Sequence, residues 1–274
     1  MSHIPTNELI SPQAFVHPGA QLAEGVRIDP FAVVHEDTII GPGSWIGSGA
    51  IIYPGARIGE DCSIFSGASI ASIPQDLKFR DEKTTAELGD RVIVREYATI
   101  NRGTTHSQRT VVEDDVLIMA YAHIAHDCHL ERRCIVVNAV NIAGHVTVGE
   151  HAVIGGMSAV HQFTKIGKHA FIAGGSMVRK DVPPYVLAGR DPISYVGINS
   201  TGLRRRGFTS EQIAEIQEIY RIVYLRGLNY RNAVQAVLSE FAPSPFRDDI
   251  VQFIQESERG IMRGYNFIDK GRGE

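Results

Sequence analysis

An aliphatic residue recurs at every sixth position through most of this chain. From Ile10 the series runs through Val16, Leu22, Ile28, Val34, Ile40, Ile46, Ile52, Ile58 and Ile64 to Ile70, resumes at Leu88, Val94 and Ile100, and continues from Val112 to Val178. Of the 29 stations between 10 and 178, only Asp76, Glu82 and His106 are not aliphatic. An α-helix needs apolar spacings of three and four, so a strict six excludes it. A second register of small residues lies two positions earlier, as at Ala32, Ser44, Ala50, Ala68, Ala122 and Ala152. A small residue, a bulky one and then a glycine such as Gly41, Gly47, Gly59, Gly149, Gly155 or Gly167 predicts short strands joined by tight turns. Three such strands close a coil of about 18 residues. The chain is therefore expected to wind into an all-β parallel β-helix of roughly nine coils, stacked about 4.8 Å apart.

The exceptions are informative. The broken stations mark 71–87 and 101–111 as polar loops leaving the coil, and excursions from a rigid scaffold often carry binding groups. Cys62, Cys128 and Cys134 fall on the small-residue register, which predicts interior packing. Their odd number and spacing argue against a disulfide framework. The repeat is expected to stop at Asp181-Val182-Pro183-Pro184, because paired prolines end strand pairing. No clear period follows until about 207. Thr209 and Gln212 then form a capping-box pattern before Ile213, Ile216, Ile219 and Val223, with further helical candidates at 230–241 and 250–262. This divides the chain into a β-helix over 1–190 and a connecting segment with a small C-terminal α-helical domain over 191–274.

Seven of the eleven histidines lie between 123 and 169. At about 18 residues per coil, His126, Gly144 and Gln162 stack in one column and His145 lies above Asp127. An imidazole with a backbone amide about 5 Å above it is the minimum for a base and an oxyanion donor. Zinc is the competing use of such histidines. Along a strand, however, His123, His126 and His129 point to alternate faces, and no metal or cofactor is expected.

The net charge of −4 offers no reason to bind nucleic acid, yet 179–231 carries nine basic residues against five acidic, including Arg204, Arg205 and Arg206. That segment is a candidate surface for phosphate or an acidic protein. The N-terminus has no signal-peptide pattern and no apolar run is long enough to span a bilayer, so a cytoplasmic protein without stable membrane insertion is expected.

Several stretches together are more specific than the repeat: Pro74-Gln-Asp-Leu-Lys78, Ala122-His-Ile-Ala-His-Asp-Cys128, Ala143-Gly-His-Val146, Gly155-Gly-Met-Ser-Ala-Val-His-Gln-Phe163, Asp181-Val-Pro-Pro-Tyr185 and Gly202-Leu-Arg-Arg-Arg-Gly-Phe208. On these the chain resembles the UDP-N-acetylglucosamine O-acyltransferase family of lipid A biosynthesis over nearly its whole length. The resemblance implies a left-handed coil and a homotrimer with sites between subunits. It also implies transfer of a 3-hydroxyacyl group from acyl carrier protein to the 3-hydroxyl of UDP-N-acetylglucosamine. By motif match, His126 would be the general base, Asp127 its partner and Gly144 the oxyanion donor. Asp76, Lys78, His123, His145, His161 and Gln162 would line the sugar and thioester site. Asn199, Arg205 and Arg206 would hold the nucleotide, and Gly174 would limit the acyl chain. Thr201 stands where many members have Glu, which leaves that nucleotide contact open. The related N-acyltransferases share the coil but carry an extra N-terminal uridine-binding domain, which is not expected here because the repeat starts by Ile10. A zinc-binding β-helix and a non-catalytic scaffold are alternatives of other classes.

Overall fold

The computed structural model describes residues 9–264, so both ends of the expected domain ranges lie outside the described residues. The chain winds as a left-handed parallel β-helix with a small helical region after it. Its three faces are sheets of nine, eight and ten strands, most only two residues long. The first face runs from Phe15–Val16 to Met177–Val178, the second from Gln21–Leu22 to Lys165–Ile166. The third runs from Arg27–Ile28 through Phe171–Ile172 and then adds two strands, Val186–Gly189 and Ser194–Ile198.

The six-residue register is the core. Ile40, Ile46, Ile52, Ile64, Ile70, Ile100, Ile118 and Ile124 are completely buried, with Ala32, Ala50, Ala68, Ala98 and Ala152 between them. Burying each large aliphatic contributes about 1.5–3 kcal/mol, repeated coil after coil. All three cysteines are free and buried, and burial raises the Cys62 thiol to about 11 and that of Cys128 to about 12. They are packing residues.

Two details differ from the sequence expectation. Strands one coil apart normally pair three repeats along, as His123 does with Asn141. Ile58, however, pairs with Leu88, five repeats along, and Val94 with Ile118, four along. The loops thus absorb two repeats and one repeat, together a whole coil. Consequently Val16 and Val178 stand eight coil steps apart on the first face, although the sequence between them holds enough repeats for nine. Second, the glycines after the aliphatics do not supply the turn conformation. The left-handed residue comes two positions later and is seldom glycine: Asp115, Tyr121, Asp127, Arg133, Ala139, His145, His151, Met157, Phe163 and His169 have φ of 55–63°. Gly41 and its counterparts serve close approach instead. A Cβ on Gly41 would sit 2.5 Å from the Gly59 carbonyl carbon of the next coil.

Pairing also continues beyond the prolines. Val182 bridges Ile166, and Leu187 pairs with Phe171 at an offset slightly short of a full coil. Pro183 and Pro184 lie in the turn, where the ladder needs no amide from them, while Val182 and Tyr185 donate to Lys165 and Lys168. The strand Ser194–Ile198 then returns antiparallel to Val186–Gly189.

Four helices follow among the described residues: α1 (Ser200–Arg205), α2 (Ser210–Leu225), α3 (Tyr230–Glu240) and α4 (Pro245–Gln255). Helix therefore begins before Thr209, capped by Asn199. The Thr209–Gln212 capping box opens α2, whose Ile213, Ile216, Ile219, Tyr220 and Val223 face inward at helical spacing. The third candidate starts earlier and ends sooner than 250–262, because Ser244 caps it and Pro245 is its first residue, a position that needs no amide donor. The helices pack on the end of the coil. Tyr220 donates to the Pro184 carbonyl, and buried Asp181 accepts from Lys165 N and Ser257 Oγ. No described helix is long and apolar enough to cross a membrane.

Candidate active site

The corner between the first and second faces carries residues 125–127, 143–145 and 161–163 on successive coils. Both loops leave this same corner in the coils below, trimmed by flanking strands to 73–84 and 102–108. They hold together: Thr84 Oγ1 donates to Gly103 O, and the Arg102 guanidinium lies 5.4 Å from the centre of the Phe79 ring.

Asp127 occupies the left-handed turn position, φ 59°, so its side chain turns back on its neighbour. The corner, not a second subunit, makes the pair: His126 Nδ1 lies 2.7 Å from Asp127 Oδ2. The Asp127 side chain is fully buried. Thr104 N and Ser107 N donate to Oδ1 at 3.0 and 3.2 Å, Thr104 Oγ1 donates to Oδ2 at 2.6 Å, and Ser107 Oγ donates to Oδ1. Burial pushes such a carboxyl up. Here the bonds from His126, Ser107 and Thr104 outweigh it and hold Asp127 well below the usual carboxylate range. The ionised carboxylate accepts the hydrogen bond from His126 Nδ1–H and leaves Nε2 as the free nitrogen. Gly144 lies against the ring, where a Cβ would sit 2.6 Å from Cε1 and 2.8 Å from Nε2. No side chain fits there, so main chain packs directly against the imidazole.

Around this pair is a cleft of about 370 Å³ lined by Gln75, Asn101, His123, His126, Asn141 and Gly144, with Ala125, Ala143, Ala159 and Val160 behind them. His123 Nδ1 is 2.7 Å from Thr99 Oγ1, and burial, with His126 nearby, keeps its ring below the usual imidazole range. His145 stacks on Phe163, centroids 4.3 Å apart, and burial lowers it against the opposing pull of Asp127.

Ligand atoms of His126, Asp127 and His145 all lie within 4.8 Å of one another. The donor set nevertheless does not suit a cation, because both Asp127 oxygens are already occupied by hydroxyl, amide and imidazole donors. His129 does not join them, since it turns to Glu113 Oε1 at 2.8 Å on the second face.

The other expected residues divide by corner. His161 and Gln162 are exposed one coil above Ala143 and Gly144, with His161 Nδ1 3.1 Å from the Gln162 carbonyl. Asp76 Oδ1 accepts from Lys78 N, the Lys78 side chain is exposed, and the Asp76 charge reaches His145. Asn199, Arg205 and Arg206 instead lie at the corner between the second and third faces. There Asn199 caps α1 and donates to His169 O at 3.0 Å, Arg206 donates to His151 O at 3.0 Å, and Arg205 is exposed. Gly174 lies at the third corner, its absent Cβ 3.1 Å from Gly156 O. One chain does not bring these groups to His126. Sequence reasoning placed Gln75 in a polar loop without giving it a role, and missed Asn101, Asn141, Thr104 and Ser107. Asn141 was reachable, because it stands one coil after His123 in the same column. Thr104 and Ser107 lie in a loop that has no register to count.

A β-helix of six-residue repeats with a histidine–aspartate pair at one corner defines a hexapeptide-repeat transferase, and the bacterial transferase hexapeptide model matches residues 37–72 and 109–144. The model for Udp N-acetylglucosamine O-acyltransferase, domain 2, matches 181–262. The acyl-[acyl-carrier-protein]--UDP-N-acetylglucosamine O-acyltransferase of Stenotrophomonas maltophilia is 43% identical over 256 residues, 93% of this chain and 97% of that protein. The Xylella fastidiosa protein of the same name is 44% identical over 257 residues, covering 93% and 98%. The crystal structure of a UDP-N-acetylglucosamine acyltransferase from Bacteroides fragilis superposes with a TM-score of 0.91 at 45% identity, covering 92% of this chain and 99% of that one. The chain belongs to the UDP-N-acetylglucosamine O-acyltransferase family.

Proposed function

We propose that this enzyme transfers a 3-hydroxyacyl group from acyl carrier protein to the 3-hydroxyl of UDP-N-acetylglucosamine in the cytoplasm, the opening step of lipid A synthesis. The observation that carries the mechanism is His126, oriented through Nδ1 by an ionised Asp127, with the Gly144 main chain against the Cε1–Nε2 edge of its ring. A sugar hydroxyl is a poor nucleophile at neutral pH, and imidazole ordinarily titrates in the range a general base requires. His126 Nε2 takes the hydroxyl proton as the oxygen bonds to the thioester carbonyl carbon. The carbonyl oxygen becomes an anion beside the Gly144 amide, a donor worth about 2.7–4 kcal/mol in such sites. Collapse breaks the carbon–sulfur bond, and the imidazolium returns its proton to the departing thiolate. Donor and acceptor react directly, so no covalent enzyme intermediate is needed.

The distribution of the other groups over three corners supports a homotrimer. A neighbouring subunit would present Asn199, Arg205 and Arg206 to the nucleotide and Gly174 to the acyl tail, completing the site at His126. His123, His145, His161, Gln162, Asp76 and Lys78 would surround the sugar and thioester. For acyl carrier protein, the basic bias of 179–231 is the attractive surface, although Arg221 and Arg226 are already paired with Glu218 and Glu240.

A transfer assay with 3-hydroxyacyl carrier protein against UDP-N-acetylglucosamine and its 3-amino analogue tests this. Ester or amide formation at that position is expected. No transfer to either acceptor overturns the reading.

A further inference from the structure

The cleft wall contains one acceptor that the reaction above does not use. Asn101, the last residue of the strand Thr99–Asn101, is 2% exposed and lines the cleft with His126. Its Nδ2 donates to Ser72 Oγ at 2.8 Å and to the Ile73 carbonyl at 3.2 Å. A carbonyl can only accept, so the amide cannot be flipped without setting two acceptors against each other. Oδ1 is thereby fixed on the side away from Ser72 and Ile73, buried and without a hydrogen-bond partner among the described residues. Buried acceptors are nearly always satisfied, and one left unmatched on a residue that lines a cleft calls for a donor.

We propose that Asn101 Oδ1 is a specificity-determining acceptor for a neutral donor on the sugar, carried by a ring carbon next to the attacked hydroxyl. This rests on the activity proposed above. An amide carbonyl accepts from N–H or O–H and repels a carboxylate or phosphate. His123, on the same wall, is tied to Thr99, and burial disfavours its charged form. Gln75 and Asn141 add polar groups to the cleft, which suits a polyhydroxylated ring and not a hydrocarbon tail. With the attacked hydroxyl at His126, two donors on the sugar meet the description: the acetamido N–H on one side and the next hydroxyl on the other. Both chemistries are the same to Oδ1.

A double-substitution cycle separates them. The full-length wild-type enzyme and Asn101→Leu are assayed with UDP-N-acetylglucosamine, with its 4-deoxy analogue, and with an analogue whose acetamido group is replaced by an acetyl ester. Sites built around one substrate hydrogen bond lose roughly tenfold to a hundredfold when it is removed. The wild type is expected to lose that much in kcat/KM with one of the two analogues. Asn101→Leu should lose as much with the parent sugar and no more than about twofold further with that same analogue. If both analogues carry equal penalties in wild type and variant, Asn101 only shapes the loop and the proposal fails, while wild-type turnover leaves the proposed activity standing. Calorimetric binding of the same three nucleotides repeats the cycle without turnover, and Asn101→Ala replaces the leucine variant if that one does not fold. A wild type that binds none of the three overturns both proposals together.

Discussion

Two corners of the coil carry histidines in the same left-handed turn position, yet the two columns are chemically unlike. At the first, Asp127, His145 and Phe163 follow one another; at the second, Arg133, His151, His169 and Tyr185. The backbone is the same at both, with φ near 60°. What covers them differs. The first corner is roofed by a loop whose hydroxyls and amides point at Asp127 and leave a cleft beside His126. The second is closed by α1 and Phe208, which packs edge-on against His169 while His151 and Tyr185 stack on it. Burial first, then His151, Arg206 and Lys168, push His169 down to about 3. One repeat position thus holds the carboxylate that orients a base at the first corner and an inert ring in a stack at the second. The carboxylate and the cover decide which.

The largest test of that contrast is one substitution at each corner. His126→Ala should lower kcat by roughly 10² to 10⁴, the usual worth of general acid–base catalysis. His151→Ala should leave kcat within about threefold, as expected of a side chain outside the proton transfer. Steady-state transfer rates measure both. Equal losses would erase the distinction between the corners.

Next in size is the lock on Asp127. Thr104→Val with Ser107→Ala removes two hydroxyl donors from a buried carboxylate, so its tendency to hold a proton rises. We expect kcat/KM to fall about tenfold to a hundredfold and its acid limb to move to higher pH, with KM for the sugar nucleotide little changed. Thr104→Ser should restore part of the loss. An unchanged pH profile would mean that the loop supports the fold without tuning the base.

The second corner should register in stability. In the unfolded chain His169 binds a proton near 6.5, whereas in the folded protein it does so only near 3. Between those values the unfolded state holds more protons, so stability falls as pH falls, by up to about 1.4 kcal/mol per pH unit. His169→Phe keeps a ring in the stack and removes the titration. Denaturant melts from pH 7 to pH 4 should then lose less stability in the variant than in the wild type, and identical slopes would show that His169 does not carry the effect.

The smallest expected effect concerns the helical region. Arg226 lies in an exposed double ion pair with Glu240, so its charge is largely matched within the chain. Arg226→Glu should change the KM for acyl carrier protein by less than about threefold at moderate salt, because exposed pairs are screened and weak. A tenfold rise that disappears at high salt would place the carrier protein's docking surface on α2.

The coil itself was legible because its determinants are local and repeated. A residue six places on meets the same surroundings, so Ile118, Ile124 and Leu130 declare the inward direction in sequence and the buried interior repeats it. The columns of His126 with Gly144 and of Asp127 with His145 followed from the same count, and so did the cysteines. Three things needed the tertiary structure. Thr104 and Ser107 reach Asp127 from an insertion that suspends the period, so no arithmetic on the register locates them. Pairing past Pro183 and Pro184 depended on where the prolines sit in the turn, not on their presence. The placement of Arg206 beside His151, at a different corner from His126, depended on how the segment after the prolines, which has no period, folds back on the coil. A repeat specifies the local step with great redundancy. What gathers in one place depends on insertions and covering segments, whose contacts reach far along the chain and leave no periodic trace.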